Sequence, residues 1–296
     1  MQIEQTLTKI RTGGIDPRDI AIPSLPATAN DASSFSQIPL ARTLVREPVV
    51  NALSDGFSGA SYYRDLAGSH PIYNSAFSSA PQGVWLSKTA ASALRPVEAF
   101  LRPYGVRLYL LDGIRTRDTQ AEIRDAFIAW KRQEVILEGG DPSPELLNRL
   151  ADKYYSRAPA ALGRRDPSTW FAHCTGGALD VTLADLNGRQ LDLGCIFDDM
   201  RPHVHTAYYE SNRRSSAGIR NLRRLLFWAM LGAGSGYWVN YPFECFHFEH
   251  LTPGFRTQFG LQNATAYGLT LPGNTANVGP ASLPAAVDSQ LPTRAQ

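Results

Sequence analysis

The sequence of 296 residues is poor in cysteine and histidine and contains no long apolar run. Its three cysteines, Cys174, Cys195 and Cys245, form an odd set, which argues against a disulfide framework. No stretch approaches the length of about 18 apolar residues that a membrane-spanning helix needs. The N-terminal residues also lack the apolar segment of a secretory signal. We therefore expect a cytoplasmic protein without a membrane span, in which the cysteines are small buried side chains or, alternatively, metal ligands.

Strong charge of one sign is missing as well. The net charge is +2 and no long basic run occurs, so nothing indicates a nucleic-acid partner. The densest positive stretch, five arginines within residues 213–224, is predicted to be the solvated face of a helix rather than a phosphate-binding surface. A hydrophobic content of 43% is ordinary for a globular protein, so the chain is long and apolar enough to bury a large core.

Composition divides the chain into three parts. Residues 1–35 are polar and rich in turn-forming types, and we expect them to be poorly ordered. Residues 271–296 are rich in Pro and Ala with few large hydrophobes, which predicts a disordered tail. Between them no linker interrupts the pattern, so residues 36–270 are predicted to form one catalytic domain.

Periodicity and capping signals place helices early and strands late in this domain. Helices are predicted over residues 90–101 (kinked by Pro96), 119–137 (opened by a Thr119–Glu122 capping box), 144–155 (capped by Ser143) and 220–231. Strands are predicted over residues 106–111, 178–183, 237–239 and 246–248. Without a regular βαβ alternation, the fold class is α+β. We expect one domain with a small, mainly antiparallel sheet flanked by helices.

His173 and Asp180 form the first half of a predicted zinc site. They are seven residues apart, which would separate them by more than about 20 Å on a straight strand. Gly176 and Gly177 lie between them and permit a tight loop that leads into the strand carrying Asp180. Imidazole and carboxylate are both zinc ligands, although a histidine beside glycine also fits an ordinary loop.

The second half is Glu244-x-x-His247. His247 supplies another imidazole ligand, and Glu244 supplies the base that a hydrolytic zinc site needs beside its water. Phenylalanines at 243, 246 and 248 would exclude bulk water and strengthen electrostatic interactions. Each half alone is common by chance, but together they predict a metallopeptidase site.

Three further histidines and one arginine are candidate functional residues. His203 and His205 could suggest a second metal, but a surface or structural role is favoured, and His250 would point to the opposite face of its strand from His247. Arg115 follows the strand at 106–111 and could stabilise the oxyanion that forms when a peptide carbonyl is attacked. It could equally form an ion pair with Asp112 or Asp118.

These segments resemble the zinc D-alanyl-D-alanine dipeptidases, whose fold is the hedgehog/D-Ala-D-Ala metallopeptidase fold. The resemblance runs from about Ile38 to His250 through the segments LDGIR, AHCTGGALDVTL, LGCIFD and FECFH. It implies one Zn²⁺ per chain, held by His173, Asp180 and His247 on the predicted sheet. It further implies Glu244 as general base and acid, and Arg115 as the transition-state arginine.

The resemblance also implies how substrate is held. Asp198, in the LGCIFD segment, would bind the free amine of the substrate, and a carboxylate suits that ammonium. Phe171 stands where the family commonly has a serine that helps to bind the substrate's C-terminal carboxylate. Ile114 replaces the tyrosine before the arginine, and Cys245 and Phe246 replace the usual tryptophans between Glu244 and His247. None of these departures removes a ligand or the base.

The sequence thus predicts a zinc metallopeptidase that hydrolyses a small dipeptide, D-alanyl-D-alanine on the family pattern. Two alternatives stay open. One is a D,D- or L,D-carboxypeptidase acting on longer cell-wall peptides, against which an amine-binding Asp198 argues. The other is a zinc-binding protein without catalytic activity, for which an unliganded Glu244 would have no use. The oligomeric state is not indicated by the sequence.

Overall fold

The computed structural model describes residues 2–23, 40–46, 48–155, 157, 172–174, 176–211, 217–239, 241–250 and 264–268. The α-helices in these ranges are α1 Gln2–Arg11, α2 Lys88–Ser92, α3 Leu94–Leu101, α4 Arg117–Leu137, α5 Pro144–Asp152, α6 Tyr208–Ser211 and α7 Ala217–Gly232. The strands are β1 Leu40–Arg46, β2 Val49–Asn51, β3 Ser58–Gly59, β4 Trp85–Ser87, β5 Val106–Asp112, β6 Ala178–Asp185, β7 Tyr237–Trp238, β8 His247–His250 and β9 Ala264–Gly268. None of the helices described is long and apolar enough to cross a membrane.

The central sheet has five strands in the order β3-β5-β6-β8-β7. Strand β3 pairs with β5 in parallel, and the other three pairings are antiparallel. Two smaller pairs, β2 with β4 and β1 with β9, lie apart from this sheet. The prediction of an α+β fold with a small, mainly antiparallel sheet flanked by helices is confirmed.

The two faces of the sheet have different roles because side chains alternate along a strand. In β6, Leu179, Val181 and Leu183 belong to the main hydrophobic core, together with Phe248 of β8 and buried side chains of α1, α2, α3 and α7. Asp180 lies between two of these core residues and therefore points to the opposite face. That face carries the candidate site.

The helices lie close to their predicted ranges, but only one of the two predicted N-terminal caps is present. Helix α4 is capped by Thr116, whose side chain accepts a hydrogen bond from the Thr119 amide. The predicted Thr119–Glu122 capping box is therefore wrong. The Glu122 carboxylate accepts a hydrogen bond from Ser79 instead. The predicted cap of α5 is confirmed, since Ser143 Oγ accepts from the Leu146 amide. The segment predicted as one kinked helix is divided at Ala93 into α2 and α3.

Two other expectations differ from the structure. Part of the N-terminal segment that we expected to be poorly ordered forms α1, and its Leu7 and Ile10 side chains are buried against α7. The polar composition of the segment did not indicate that these two side chains would be buried. Arg223 was assigned to a solvated helix face, but it is buried. Its guanidinium donates to the backbone carbonyls of Leu193, His203 and His205, which satisfies a charge that could not otherwise be buried. The predicted tail at 271–296 lies outside the described residues, and the division into domains stays a prediction.

Candidate metal centre

Three side chains predicted as zinc ligands meet on the face of the sheet opposite the main hydrophobic core. Asp180 of β6 and His247 of β8 are directly paired in the antiparallel register. His173 comes from a short 3-10 turn at Ala172–Cys174, and Gly176, with a φ of 78°, turns the chain from there into β6. All three side chains are buried. The glycine turn is how residues seven positions apart reach one site.

The distances within the triad fit a single tetrahedral ion. Two ligand atoms bound at about 2.1 Å to one tetrahedral zinc are separated by about 3.4 Å. His173 Nε2 lies 3.2 Å from His247 Nδ1 and 3.3 Å from Asp180 Oδ2, and His247 Nδ1 lies 3.0 Å from Asp180 Oδ1. Among the described residues, these three are the group of His, Cys, Asp and Glu side chains that could hold a metal. Three protein ligands would leave a fourth position for water, as catalytic zinc requires.

The backbone orients His173. Its Nδ1 donates a hydrogen bond to the Gly113 carbonyl oxygen at 2.8 Å, which leaves Nε2 with a lone pair facing the triad. A Cβ on residue 113 would lie 2.3 Å from the carbonyl oxygen of Trp85, so only glycine allows this close approach. The glycine of the Asp112-Gly113-Ile114-Arg115 segment thus helps to position a predicted metal ligand.

A second carboxylate orients His247. Its Nε2 lies 3.2 Å from Glu249 Oε1, and Nδ1 faces the triad. Burial alone would lower the pKa of His247, but its hydrogen bonds to Asp180 and Glu249 raise it to about 10. Burial opposes ionisation of Asp180 too, yet His173 and His247 hold the pKa of that carboxyl below its usual range. A metal at the triad would displace the proton on Nδ1, which faces Asp180, whereas Glu249 would keep the proton on Nε2.

Replacing Glu249 with glutamine should weaken zinc binding about 10–100-fold, the usual cost of losing a carboxylate that orients a metal-bound histidine. The measurement is competition with a chromophoric chelator of known zinc affinity. Glu145→Gln, an exposed site on α5, is the matched control and should leave zinc affinity unchanged. Equal affinity in Glu249→Gln and wild type would show that Glu249 does not support the site.

Glu244 lies in the segment that leads into β8, three residues before His247. Its carboxyl is close enough to His247, Asp180, Asp198 and Arg115 for each to affect its ionisation. Burial is the largest effect, and it raises the pKa of Glu244 well above the ordinary value. A carboxyl with a raised pKa beside a metal site has the properties of a general base that later acts as an acid.

Arg115 connects the metal triad to its surroundings. Its guanidinium lies 2.8 Å from Asp112 Oδ2 and 3.5 Å from Asp180 Oδ2, and it donates to Gln120 Oε1 at 2.9 Å. The ion pair with Asp112, which the sequence offered as an alternative role for Arg115, is therefore present. Arg115 also contacts Asp180 of the triad. Arg115 also donates to the Tyr63 hydroxyl at 3.2 Å, with its guanidinium 4.8 Å from the centre of that ring.

Asp198 is a buried carboxylate surrounded by tyrosines. Its Oδ2 accepts hydrogen bonds from Tyr63 at 2.7 Å, from Tyr73, and from Tyr155 at 3.4 Å. Tyr63 therefore joins Asp198 to Arg115, and through Arg115 to Asp180. A continuous hydrogen-bonded chain connects the predicted amine-binding carboxylate to a predicted zinc ligand.

The backbone at Asp198 adopts a φ of 58°, a left-handed conformation that is uncommon outside glycine. The preceding carbonyl, that of Phe197, accepts a hydrogen bond from His70 Nε2 at 3.0 Å, while His70 Nδ1 accepts from the Ile72 amide. His70 is buried and supports the turn at Asp198. Such strain persists only where the surroundings hold it, and here they hold a carboxylate in one position.

The other residues considered in the sequence lie away from the triad or outside the described residues. His203 Nε2 contacts Asp199 Oδ2 at 2.9 Å, and the His205 ring packs on Phe243. The ring of His250 contacts Tyr237, on the core side of β8. Phe171 lies outside the described residues, so its predicted role in substrate binding stays a prediction.

Sequence reasoning missed four supporting residues of the site. Glu249 had a usable signal, because residues two apart on a strand share a face and His247 is a predicted ligand. The tyrosines had none, since they come from segments distant in sequence, and no local spacing indicates that they meet. They are Tyr63, Tyr73 and Tyr155.

Comparison with known proteins agrees with this site. The family model described as D-ala-D-ala dipeptidase, Peptidase_M15, matches residues 79–262. Among curated proteins, no sequence matches the chain significantly. One similar solved structure is that of a Glu-to-Ala mutant of the vancomycin-resistance D,D-pentapeptidase VanY, from a VanB-type resistance cassette, in complex with Zn(II). It has 14% identity and a TM-score of 0.35, and the match covers 61% of this chain and 82% of that chain.

The family match spans more than half of the chain and includes all three residues of the triad. The donor set of two imidazoles and one carboxylate, at mutual distances that suit a tetrahedral ion, fits Zn²⁺. The chain belongs to the D-Ala-D-Ala dipeptidase family and is a zinc metallopeptidase.

Proposed function

We propose that the protein hydrolyses the peptide bond of a small dipeptide that has a free amine, D-alanyl-D-alanine, to give two molecules of D-alanine. The observation that carries this proposal is the hydrogen-bonded chain from Asp180 through Arg115 and Tyr63 to Asp198. It places a buried anion at a fixed position relative to the metal triad. An anion held there suits a substrate whose ammonium group lies close to the bond that is cut.

Glu244 would transfer the protons. When bound, zinc acidifies a water and polarises the substrate carbonyl. Glu244 takes a proton from the attacking water and gives a proton to the leaving amine, so its carboxyl ends the reaction as it began. Its raised pKa suits both roles, because a carboxyl that holds a proton too weakly could not return it.

Arg115 would stabilise the charge that develops on the substrate carbonyl oxygen. Its guanidinium is already fixed by Asp112 and Gln120, so little reorganisation is needed during the reaction. Removing it would leave Asp112 and Asp180 without their buried cation, so Arg115 also contributes to stability.

Asp198 would bind the substrate's ammonium. The three tyrosine hydroxyls all contact Oδ2, so none of them occupies Oδ1, which would accept the substrate. A longer cell-wall peptide has an amide where the dipeptide has its ammonium, and an amide gains little from a fixed carboxylate. This difference separates the dipeptidase proposal from the D,D- or L,D-carboxypeptidase alternative.

The test compares kcat/KM for D-alanyl-D-alanine and for its N-acetyl derivative. We expect acetylation to lower kcat/KM by up to about a hundredfold, since a hydrogen bond to a charged group contributes about 1.5–3 kcal/mol. In Asp198→Asn the preference for the free-amine dipeptide over its acetylated form should fall to less than tenfold. Asp141→Asn, at an exposed loop position, should keep the wild-type preference. Comparable hydrolysis of both substrates by the wild type would favour the carboxypeptidase.

The other alternative is a zinc-binding protein without catalytic activity. The same assay tests this alternative, because such a protein would release no D-alanine from either substrate. Glu244 argues against this alternative, since its carboxyl is kept near the triad without being one of its ligands. The cytoplasmic location expected from the sequence stays a prediction.

A further inference from the structure

Two cysteines lie in contact beside the candidate centre. Cys195 Sγ and Cys245 Sγ are 3.6 Å apart, although 50 residues separate them in the sequence. Both are free thiols; Cys245 is buried and Cys195 is half-buried. A disulfide requires the sulfurs to approach to about 2.05 Å, a further movement of roughly 1.5 Å. The thiols already touch, so bond formation begins from sulfurs in contact.

The surroundings suit a reactive pair rather than another metal site. Arg223 places its NH2 atom 3.2 Å from Cys195 Sγ, where a guanidinium attracts a sulfur that carries negative charge. The same guanidinium is fixed by the carbonyls of Leu193 and His205, so its position does not depend on the sulfur. Within the described part of the chain, these sulfurs belong to no group of three metal-binding side chains.

Each cysteine is joined to one functional segment of the centre. Cys245 directly follows Glu244, and its amide donates to the Val204 carbonyl. Cys195 lies three residues before Asp198, in the loop whose Gly194 has a φ of 79°. Closing the S–S bond would therefore connect the segment of the proposed base to the segment of the proposed amine-binding carboxylate.

We propose that Cys195 and Cys245 form a modification site that oxidises to a disulfide and thereby lowers peptidase activity. The oxidant is a small-molecule disulfide such as oxidised glutathione. A thiolate of the touching pair attacks it, which breaks the glutathione S–S bond and releases one glutathione. The other sulfur of the pair then attacks the sulfur that carries glutathione, forms the internal bond and releases the second glutathione. Two protein thiols are oxidised, one disulfide is reduced to two thiols, and the protein's two protons leave with the glutathione.

The chemical test is independent of the proposed function. The full, zinc-loaded chain is incubated with oxidised glutathione, its free thiols are counted, and its peptides are mapped without reduction. We expect the thiol count to fall from three to one, a cross-linked peptide joining Cys195 to Cys245, and no retained glutathione. Cys174→Ser keeps both partners and is the matched control, so it should form the same cross-link. Cys195→Ser should not form it.

The functional consequence rests on the proposed function. Movement of about 1 Å at a catalytic group can cost on the order of a hundredfold in rate, so oxidation should lower kcat/KM for D-alanyl-D-alanine at least tenfold. A phosphine reductant should restore it, and zinc content should stay constant throughout. Cys174→Ser should respond like the wild type, and Cys195→Ser should lose the response.

Distinct results would overturn the two parts. A stable glutathione adduct, or three unchanged thiols after incubation, would overturn the disulfide. A mapped cross-link that leaves kcat/KM unchanged would overturn its connection to catalysis. If the wild type cleaves no dipeptide, the proposed function fails, while the thiol count and the peptide map still decide whether the pair oxidises.

Discussion

Replacing Glu244 with glutamine should lower kcat for D-alanyl-D-alanine about a thousandfold while zinc remains bound. Glutamine has nearly the same shape but can neither accept the proton of the attacking water nor donate one to the leaving amine. The three residues of the triad are unchanged in this variant, and Glu244 is not among them. Zinc content is measured on the same sample as kcat, so loss of metal and loss of catalysis are separated.

The matched control is Glu145→Gln, which makes the same chemical change at an exposed position of α5 and should keep full activity. Glutamine keeps the size and shape of the half-buried Glu244 side chain, so the thermal midpoint should stay close to that of the wild type. Near wild-type turnover in Glu244→Gln would exclude Glu244 as the proton-transfer residue.

Replacing Asp180 with asparagine should abolish both zinc binding at micromolar metal and hydrolysis. Asp180 is the anionic member of the triad, and it contacts His173, His247 and Arg115. The loss in zinc affinity should exceed the roughly 10–100-fold expected for Glu249→Gln, because a ligand itself is removed rather than its support. Affinity is measured by chelator competition, and hydrolysis by the release of free D-alanine.

Removing the Asp180 charge also removes a buried partner of Arg115 and His247, so folding must be followed by circular dichroism in the same samples. Asp141→Asn is the control for the substitution itself. If Asp180→Asn is folded and binds zinc like the wild type, Asp180 is not a ligand and the triad is wrongly assigned.

The sequence predicted the elements that carry the site because their signals are local. The predicted strands at 106–111 and 178–183 and the predicted Ser143 cap each depend on the types of neighbouring residues. The meeting of His173, Asp180 and His247 was predicted from two short motifs, and the register of β6 with β8 explains it. A glycine turn supplied the remaining geometry.

Long-range contacts were not predictable in the same way. Asp198 accepts hydrogen bonds from residues up to 135 positions away, and no periodicity indicates which hydroxyl will reach it. The burial of Arg223 depends on three carbonyls that a single helix pattern does not reveal. The capping box predicted at Thr119 is wrong for a simpler reason. Thr116 has the same hydroxyl group three residues earlier, and that hydroxyl accepts the hydrogen bond from the Thr119 amide.

We propose that zinc held by His173, Asp180 and His247 makes this chain a dipeptidase for D-alanyl-D-alanine. The most direct test measures alanine released from the D,D and L,L dipeptides by the zinc-loaded protein, after chelation, and after zinc is added back. We expect release from the D,D dipeptide alone, its loss on chelation and its return with about one zinc per chain. Release that survives complete zinc removal, or a preference for the L,L dipeptide, would contradict the claim.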